Sequence, residues 1–305
     1  MKEFQISSSD GLLLKGNHWT CEKPVKAIVQ LSHGMAEHIE RYDSFARYLN
    51  EHGIEVYGHS HRGHGKTARS KEDLGYLADD NGWDLLVDDL IEISGMIRET
   101  SPDKPLFILG HSMGSFAARN AVRRQAQLYN GAVLIGSGWQ YAPTIHLAKS
   151  VSTLVKAVTG DRTRSKIMDK LLFSNYNNRF PNNRTQFDWL SRDHEIVKEY
   201  IDDPYCGYLC TASFYYDLIT GVSRVMRTGG LERVPKAFPI LVASGDKDPV
   251  GQNGRGVKKI VDNYKRNGLK NVQMKLYPEG RHEILNEMNR MIVFEDIGNW
   301  ILSNI

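Results

Sequence analysis

Short apolar runs punctuate the chain at Ala27–Leu31, Ile54–Gly58, Leu106–Leu109 and Ala132–Ile135, and none has the alternating polar face of a half-exposed strand. Runs of this kind suit strands buried on both sides of a parallel sheet. Upstream, Glu3–Ser7 and Leu12–Trp19 flank Ser9-Asp10-Gly11, which reads as a hairpin turn. Between the runs lie helical patterns; in one, Trp83, Leu86, Val87, Leu90, Ile93 and Ile97 recur at helical spacing. Strands alternating with helices predict an α/β fold with a mostly parallel, doubly wound sheet.

The alternation stops near Gly138 and resumes with a strand at Phe238–Ser244. A helix around Gly256–Tyr264, a strand at Val272–Tyr277 and a last helix from Glu283 to about Leu302 complete it. The interval is aromatic and has helices of its own. In the clearest, Leu147, Val151, Leu154, Val155 and Val158 form one apolar stripe. We therefore read 1–139 and 231–305 as two parts of one core, and 140–230 as a helical cap inserted between two sheet strands.

Composition narrows the picture without redirecting it. At 305 residues, one large α/β domain with an insertion suits the length. A net charge of +3 is too small to suggest nucleic acid. Residues 140–230 hold 12 Lys+Arg and 9 Asp+Glu, so the interval alone carries that excess. Three cysteines, Cys21, Cys206 and Cys210, are odd in number and lack C-x-x-C spacing, which argues against a disulfide framework and a structural zinc site. They fit a reducing compartment, and cytoplasmic residence is the expectation. Met1-Lys2-Glu3-Phe4-Gln5 leads into polar residues rather than an apolar signal core, and nowhere do 18 apolar residues run together.

The chemistry concentrates after the run at Leu106. Gly110-His111-Ser112-Met113-Gly114 follows an apolar strand and opens a helical stretch. A serine hydroxyl attacks only when a base takes its proton, and it must protrude into a site. A sharp strand-to-helix turn with small flanking residues achieves the second requirement. The bare G-x-S-x-G pattern arises by chance in about one chain in ten of this length; its place between strand and helix removes most of that chance. Ser112 is thus the candidate nucleophile.

Its partners should follow in the order serine, acid, histidine. The strand Phe238–Ser244 ends in Gly245-Asp246-Lys247-Asp248, and Val272–Tyr277 ends in Pro278-Glu279-Gly280-Arg281-His282. His282 is the only histidine after His194, so it has no competitor in the returning sheet. Spacing alone leaves Asp246 and Asp248 both open as the acid. An oxyanion needs two N–H donors. The candidates are the amide of Met113, after the nucleophile, and that of Met35, in the loop Ser32-His33-Gly34-Met35.

Several further motifs stand in order: His33-Gly34-Met35-Ala36-Glu37-His38 with Arg41-Tyr42, then Arg62-Gly63-His64-Gly65, the serine turn, Gly245 to Asp248, and His282-Glu283. Together they resemble the monoacylglycerol lipase and lysophospholipase group of cap-bearing α/β-hydrolases, also grouped with serine aminopeptidase-like enzymes. The segments 187–193 and 203–207 are similar to the caps of bacterial members. The resemblance implies an α/β-hydrolase fold and makes Asp248 the acid. It departs at Ser60, where relatives commonly carry Asp, and in the displaced glycine before His282.

The expectation is a serine carboxylic-ester hydrolase working through an acyl-enzyme, with Ser112, Asp248 and His282 catalytic and the Met35 and Met113 amides on the oxyanion. The substrate would be a small or medium amphiphilic acyl ester such as a monoacylglycerol or lysophospholipid, with no metal or organic cofactor required. A thioesterase or amidase/peptidase could use the same residues, and a non-catalytic binding protein could keep the same fold. His59, His61 and His64 invite a metal reading, but no acid or cysteine lies at ligand spacing. Lys149 and Lys156 beside the cap stripe have the composition for transient contact with an anionic membrane surface; the plainer expectation is that the stripe packs over the acyl pocket.

Overall fold

The computed structural model describes residues 1–180 and 183–305. Strands β1 (Lys2–Ser7) and β2 (Leu13–Trp19) form the expected hairpin, with Ser7 opposite Leu13. Four strands follow: β3 (Ala27–Ser32), β4 (Ile54–His59), β5 (Leu106–His111) and β6 (Gly131–Ile135). After a long excursion come β7 (Ile240–Gly245) and β8 (Val272–Tyr277). They form one eight-stranded sheet in the order β1-β2-β4-β3-β5-β6-β7-β8. Pairing is antiparallel as far as β2–β4 and parallel from there to β8.

Helices cover both faces, which is why the central runs lack a polar side. These are α1 (Asp43–Glu51), α2 (Gly82–Thr100) and α3 (Met113–Gln125), then, after the excursion, α8 (Arg255–Arg266) and α9 (Arg290–Leu302). Neighbouring strand residues feed opposite cores. Ile28 and Ile108 join residues of α2, α3 and α8, while Val29, Phe107 and Leu109 join residues of α1 and α9. Gln30 is the polar exception within a buried strand: its amide donates to Leu90 O and accepts from Ser94 Oγ, so burial leaves it satisfied.

β6 pairs directly with β7, so everything between them leaves the sheet and returns. That insertion carries α4 (Ala142–Thr159), α5 (Lys166–Phe173), α6 (His194–Asp202) and α7 (Ala212–Met226). Here one expectation fails. The stripe of α4 does not pack inward as a unit: Leu147, Leu154 and Val158 are 66%, 64% and 75% exposed. Ile145 and Ser152 are buried instead, with Ala148, Val151 and Val155 partly so. Two sides of α4 are apolar, and the side with smaller residues is the one packed inward. The last helix also starts later than expected, at Arg290, after a short 3-10 turn at Ile284–Asn286. Among the described residues, no helix is long and apolar enough to cross a membrane.

Candidate active site

Four parallel strands deliver the candidate residues to one sheet edge. At the end of β5, Ser112 adopts φ 51° and ψ −118°, a conformation costly for a residue with a Cβ. Close packing enforces it. A Cβ on Gly110 would lie 2.4 Å from Gly114 O, and one on Gly114 would lie 2.0 Å from Ser32 O. The turn therefore presses against the end of β3 and admits only glycine on both sides. Ser112 N–H donates to Ile135 O at 2.9 Å, and Ser115 Oγ donates to Ser112 O at 2.6 Å.

From β7 comes Asp248, fully buried, and from β8 comes His282, 2% exposed. His282 Nδ1 lies 2.9 Å from Asp248 Oδ1. Ser244 Oγ donates to Asp248 Oδ2, and Val250 N–H donates to Oδ1, each at 2.9 Å. Burial alone would raise the Asp248 pKa, but the charge and hydrogen bond of His282, with these two donors, bring it below the ordinary value. Asp246 is partly exposed and lies beside Lys247, 3.8 Å away. No hydrogen bond joins Ser112 to His282 among the described residues; both side chains line the same cavity of about 900 Å³.

Met35 and Met113 line that cavity too. Neither of their backbone N–H groups has a hydrogen-bond acceptor among the described residues. Backbone amides without an acceptor are uncommon, so two of them on the cavity that holds a candidate nucleophile are informative.

The sequence reading assigned no role to the buried ionic cluster beneath the loop of Met35. Glu37 Oε1 accepts from Gly34 N–H at 2.5 Å, from Tyr42 Oη at 2.9 Å and pairs with His111 Nδ1 at 3.1 Å. Arg41 bridges Glu37 at 2.6 Å and Glu283 at 2.8 and 2.7 Å. Burial opposes the charge on Glu37, but Arg41 and His111 outweigh it and hold its pKa well below the ordinary value. Burial likewise disfavours protonated His111, yet Glu37 raises its pKa overall. The cluster thus ties the loop after β3 to the residue beside the nucleophile and the residue beside His282. Its members sit in the motifs Glu37–Tyr42, Gly110–Gly114 and His282-Glu283, the signal available in the sequence.

Other titratable groups are placed differently. His59, His61 and His64 are fully buried; His61 Nε2 meets Ser32 Oγ and His64 Nδ1 meets Arg62 O, while both nitrogens of His59 and one each of His61 and His64 have no partner among the described residues. Burial, then the Arg62 charge, drives His59 down to about 3. The Ser60 hydroxyl beside them also has no partner among the described residues. Ligand atoms that converge within 4.8 Å belong instead to His38, Asp203 and Cys206. His38 is held there between Glu40 and Asp203, at 2.7 and 2.8 Å. Burial opposes its proton, but those two carboxylates win and raise its pKa. Both ring nitrogens are then occupied as donors, and the group reads as an ion pair. Cys21, Cys206 and Cys210 are all free thiols.

The cavity has two characters. Phe116 from α3, Ile145 and Ala148 from α4, and Leu218, Ile219 and Val222 from α7 make one apolar wall. Asn177, Asn178, Asn183 and Gln186 make its lining polar elsewhere, with the Asn177 amide bonded to Thr185 O and to the Trp189 N–H. Trp189 lies against His282, with ring centroids 4.9 Å apart.

Comparison with known proteins bears on the family and the fold. Residues 23–289 match the family model described as serine aminopeptidase, S33. A monoacylglycerol lipase of Mycolicibacterium smegmatis is 29% identical, over 99% of this chain and 98% of its own length. A human monoglyceride lipase is 26% identical, over 97% and 89%. A thermostable carboxyl esterase from Bacillus coagulans, solved with glycerol, superposes with a TM-score of 0.90 at 29% identity, covering 99% of this chain and 96% of its own. The chain belongs to the serine aminopeptidase S33 family and has the α/β-hydrolase fold.

Proposed function

We propose that this protein, a carboxylic-ester hydrolase, cleaves amphiphilic acyl esters of the monoacylglycerol or lysophospholipid kind through an acyl-enzyme. Ser112 Oγ attacks the ester carbonyl while His282 Nε2 takes its proton. Asp248, bonded to Nδ1, fixes the tautomer and supports the imidazolium. The Met35 and Met113 amides receive the oxyanion. His282 then protonates the leaving alcohol, and water activated by the same nitrogen releases the acid. No step calls on a metal or organic cofactor.

The observation that carries this reading is the Asp248–His282 bond opening onto the cavity that also holds Ser112 and two unpaired amides. Residues 140–230 act as a cap whose apolar wall holds the acyl chain, and Gln186, on the polar side of the cavity, faces the alcohol. The exposed Leu147, Leu154 and Val158, with Lys149 and Lys156 on the same helix, touch anionic lipid surfaces transiently. Cytoplasmic residence fits three free thiols. Turnover of p-nitrophenyl butyrate by wild type and Ser112→Ala tests the chemistry. A series of monoacylglycerols and lysophospholipids assayed beside it tests the substrate class. Wild-type turnover that Ser112→Ala retains would overturn the mechanism.

A further inference from the structure

The catalytic-histidine loop is bonded to the insertion along several residues. His282 N–H donates to Trp189 O at 3.3 Å, and Glu283 N–H donates to Leu190 O at 2.8 Å. Ser191 Oγ donates to Asn286 O at 2.8 Å, and Arg281 reaches both Asp188 O and Ser191 O. Glu287, fully buried, gathers the two segments: it accepts from Arg192 N–H at 3.2 Å, Arg192 Nε at 2.9 Å and Arg281 N–H at 2.9 Å. Residues 188–192 thus brace residues 281–287.

Within this brace the Trp189 indole lies against the imidazole, 4.9 Å between centroids and 37° from parallel. The indole is itself held. The Trp189 backbone N–H donates to Asn177 Oδ1 at 3.0 Å, and the Tyr176 ring packs edge-on against the indole at 5.1 Å. On the core side, the ring of His282 meets Gly136, where a Cβ would come within 2.9 Å of Cε1. The Asp248 bond fixes one point of the imidazole. A ring held by one hydrogen bond can still rock about its side-chain torsions while that bond bends, and rocking carries Nε2 away from the nucleophile. Contact with a flat neighbour defines the ring plane that the single bond leaves free.

We infer that Trp189, a residue of the insertion, is a positioning residue for His282, so that the insertion takes part in the chemical step as well as in holding substrate. This rests on the reading of His282 as the general base. Misplacing a reacting group by about 1 Å costs on the order of a hundredfold in rate, so loss of the indole face should appear in kcat. A residue that only walls the cavity would appear in KM for long acyl chains.

The test separates these with a substrate too short to use the apolar wall. With p-nitrophenyl acetate, Trp189→Ala should lower kcat by about tenfold to a hundredfold with KM little changed, and Trp189→Phe should recover most of the loss. Unchanged kcat on the short ester, with KM raised only for long-chain monoacylglycerols, would overturn the inference. So would a Phe variant as impaired as Ala. A second measurement uses the unmutated sequence, in case the Ala variant folds poorly. The five tryptophans are replaced by 5-fluorotryptophan, and the Trp189 fluorine resonance is assigned by its absence in Trp189→Phe. It should move with pH along the acid limb of kcat/KM and lose that response in His282→Gln. A resonance indifferent to pH would also overturn it. Fluorophosphonate labelling of the wild type keeps the two levels apart: no labelling would refute the serine-hydrolase reading itself, whereas labelling with negative tryptophan results refutes only the role of Trp189.

Discussion

Replacing Arg41 with Met would remove the guanidinium that bridges Glu37 and Glu283. The three side chains are 11%, 3% and 3% exposed, and the guanidinium reaches both carboxylates within 2.8 Å. Breaking a buried pair from one side costs about 3–5 kcal/mol, because the remaining charge is left without solvent or partner. For a chain of this size that corresponds to a fall in melting temperature of about 5–15 °C. The pH dependence is the sharper signature. In the wild type both carboxylates have folded pKa values below ordinary, despite burial, because of Arg41 with help from His111. Their stabilisation is present above the unfolded value, about 4.3, and is lost as pH falls through the folded values. In Arg41→Met the same burial is no longer opposed by the guanidinium, so the folded values rise. Glu283, left with burial and the Glu37 charge, then binds its proton more tightly folded than unfolded, and the variant's stability grows as pH falls from neutral towards 5. Urea denaturation of both proteins at about pH 8 and about pH 5 measures this. The gap between them should be widest at the higher pH. A gap of under about 1 kcal/mol, or one equal at both pH values, would refute the reasoning.

Asp248→Asn should lower kcat by about 10³–10⁴-fold, because an amide can hold the ring in the wrong tautomer; Asp246→Asn should stay near wild type, and the reverse ranking on p-nitrophenyl butyrate would count against the assignment. Asp217 on α7 is pushed up to about 7 by burial, against the opposing charge of Lys156 and the Trp83 N–H. Its folded value exceeds its unfolded one, so it costs stability as pH rises from about 4 through about 7. Asp217→Asn should therefore melt higher than wild type above neutral pH and match it near pH 4, a difference that thermal scans would read directly. Sedimentation with anionic vesicles should be seen for the wild type and weaken both in high salt and in Leu147→Ser/Leu154→Ser; binding equal in the double variant would end the membrane reading.

The sheet was legible in the sequence because its strands are buried on both faces, and the runs at 27, 54, 106 and 132 carry that burial openly. The turn at Ser112 was legible for a related reason: the two close approaches at Gly110 and Gly114 tolerate no other residue. What periodicity could not resolve was α4, where two apolar sides compete and only the partner surface decides which turns inward. Nor could it assign roles within the cluster of Glu37, Arg41, His111 and Glu283. Charged residues read as surface until folding brings positions far apart in the chain into one dry space. Trp189 lies in an interval that is aromatic throughout, and only the brace between residues 188–192 and 281–287 singles it out.

The central claim is that Ser112 forms the covalent intermediate. Intact mass and peptide mapping after treatment with a fluorophosphonate test it most directly. The account predicts one adduct per chain, located on Ser112, abolished in Ser112→Ala and strongly slowed in Asp248→Asn. An adduct on another residue, or an enzyme that hydrolyses p-nitrophenyl butyrate yet takes no label, would contradict it.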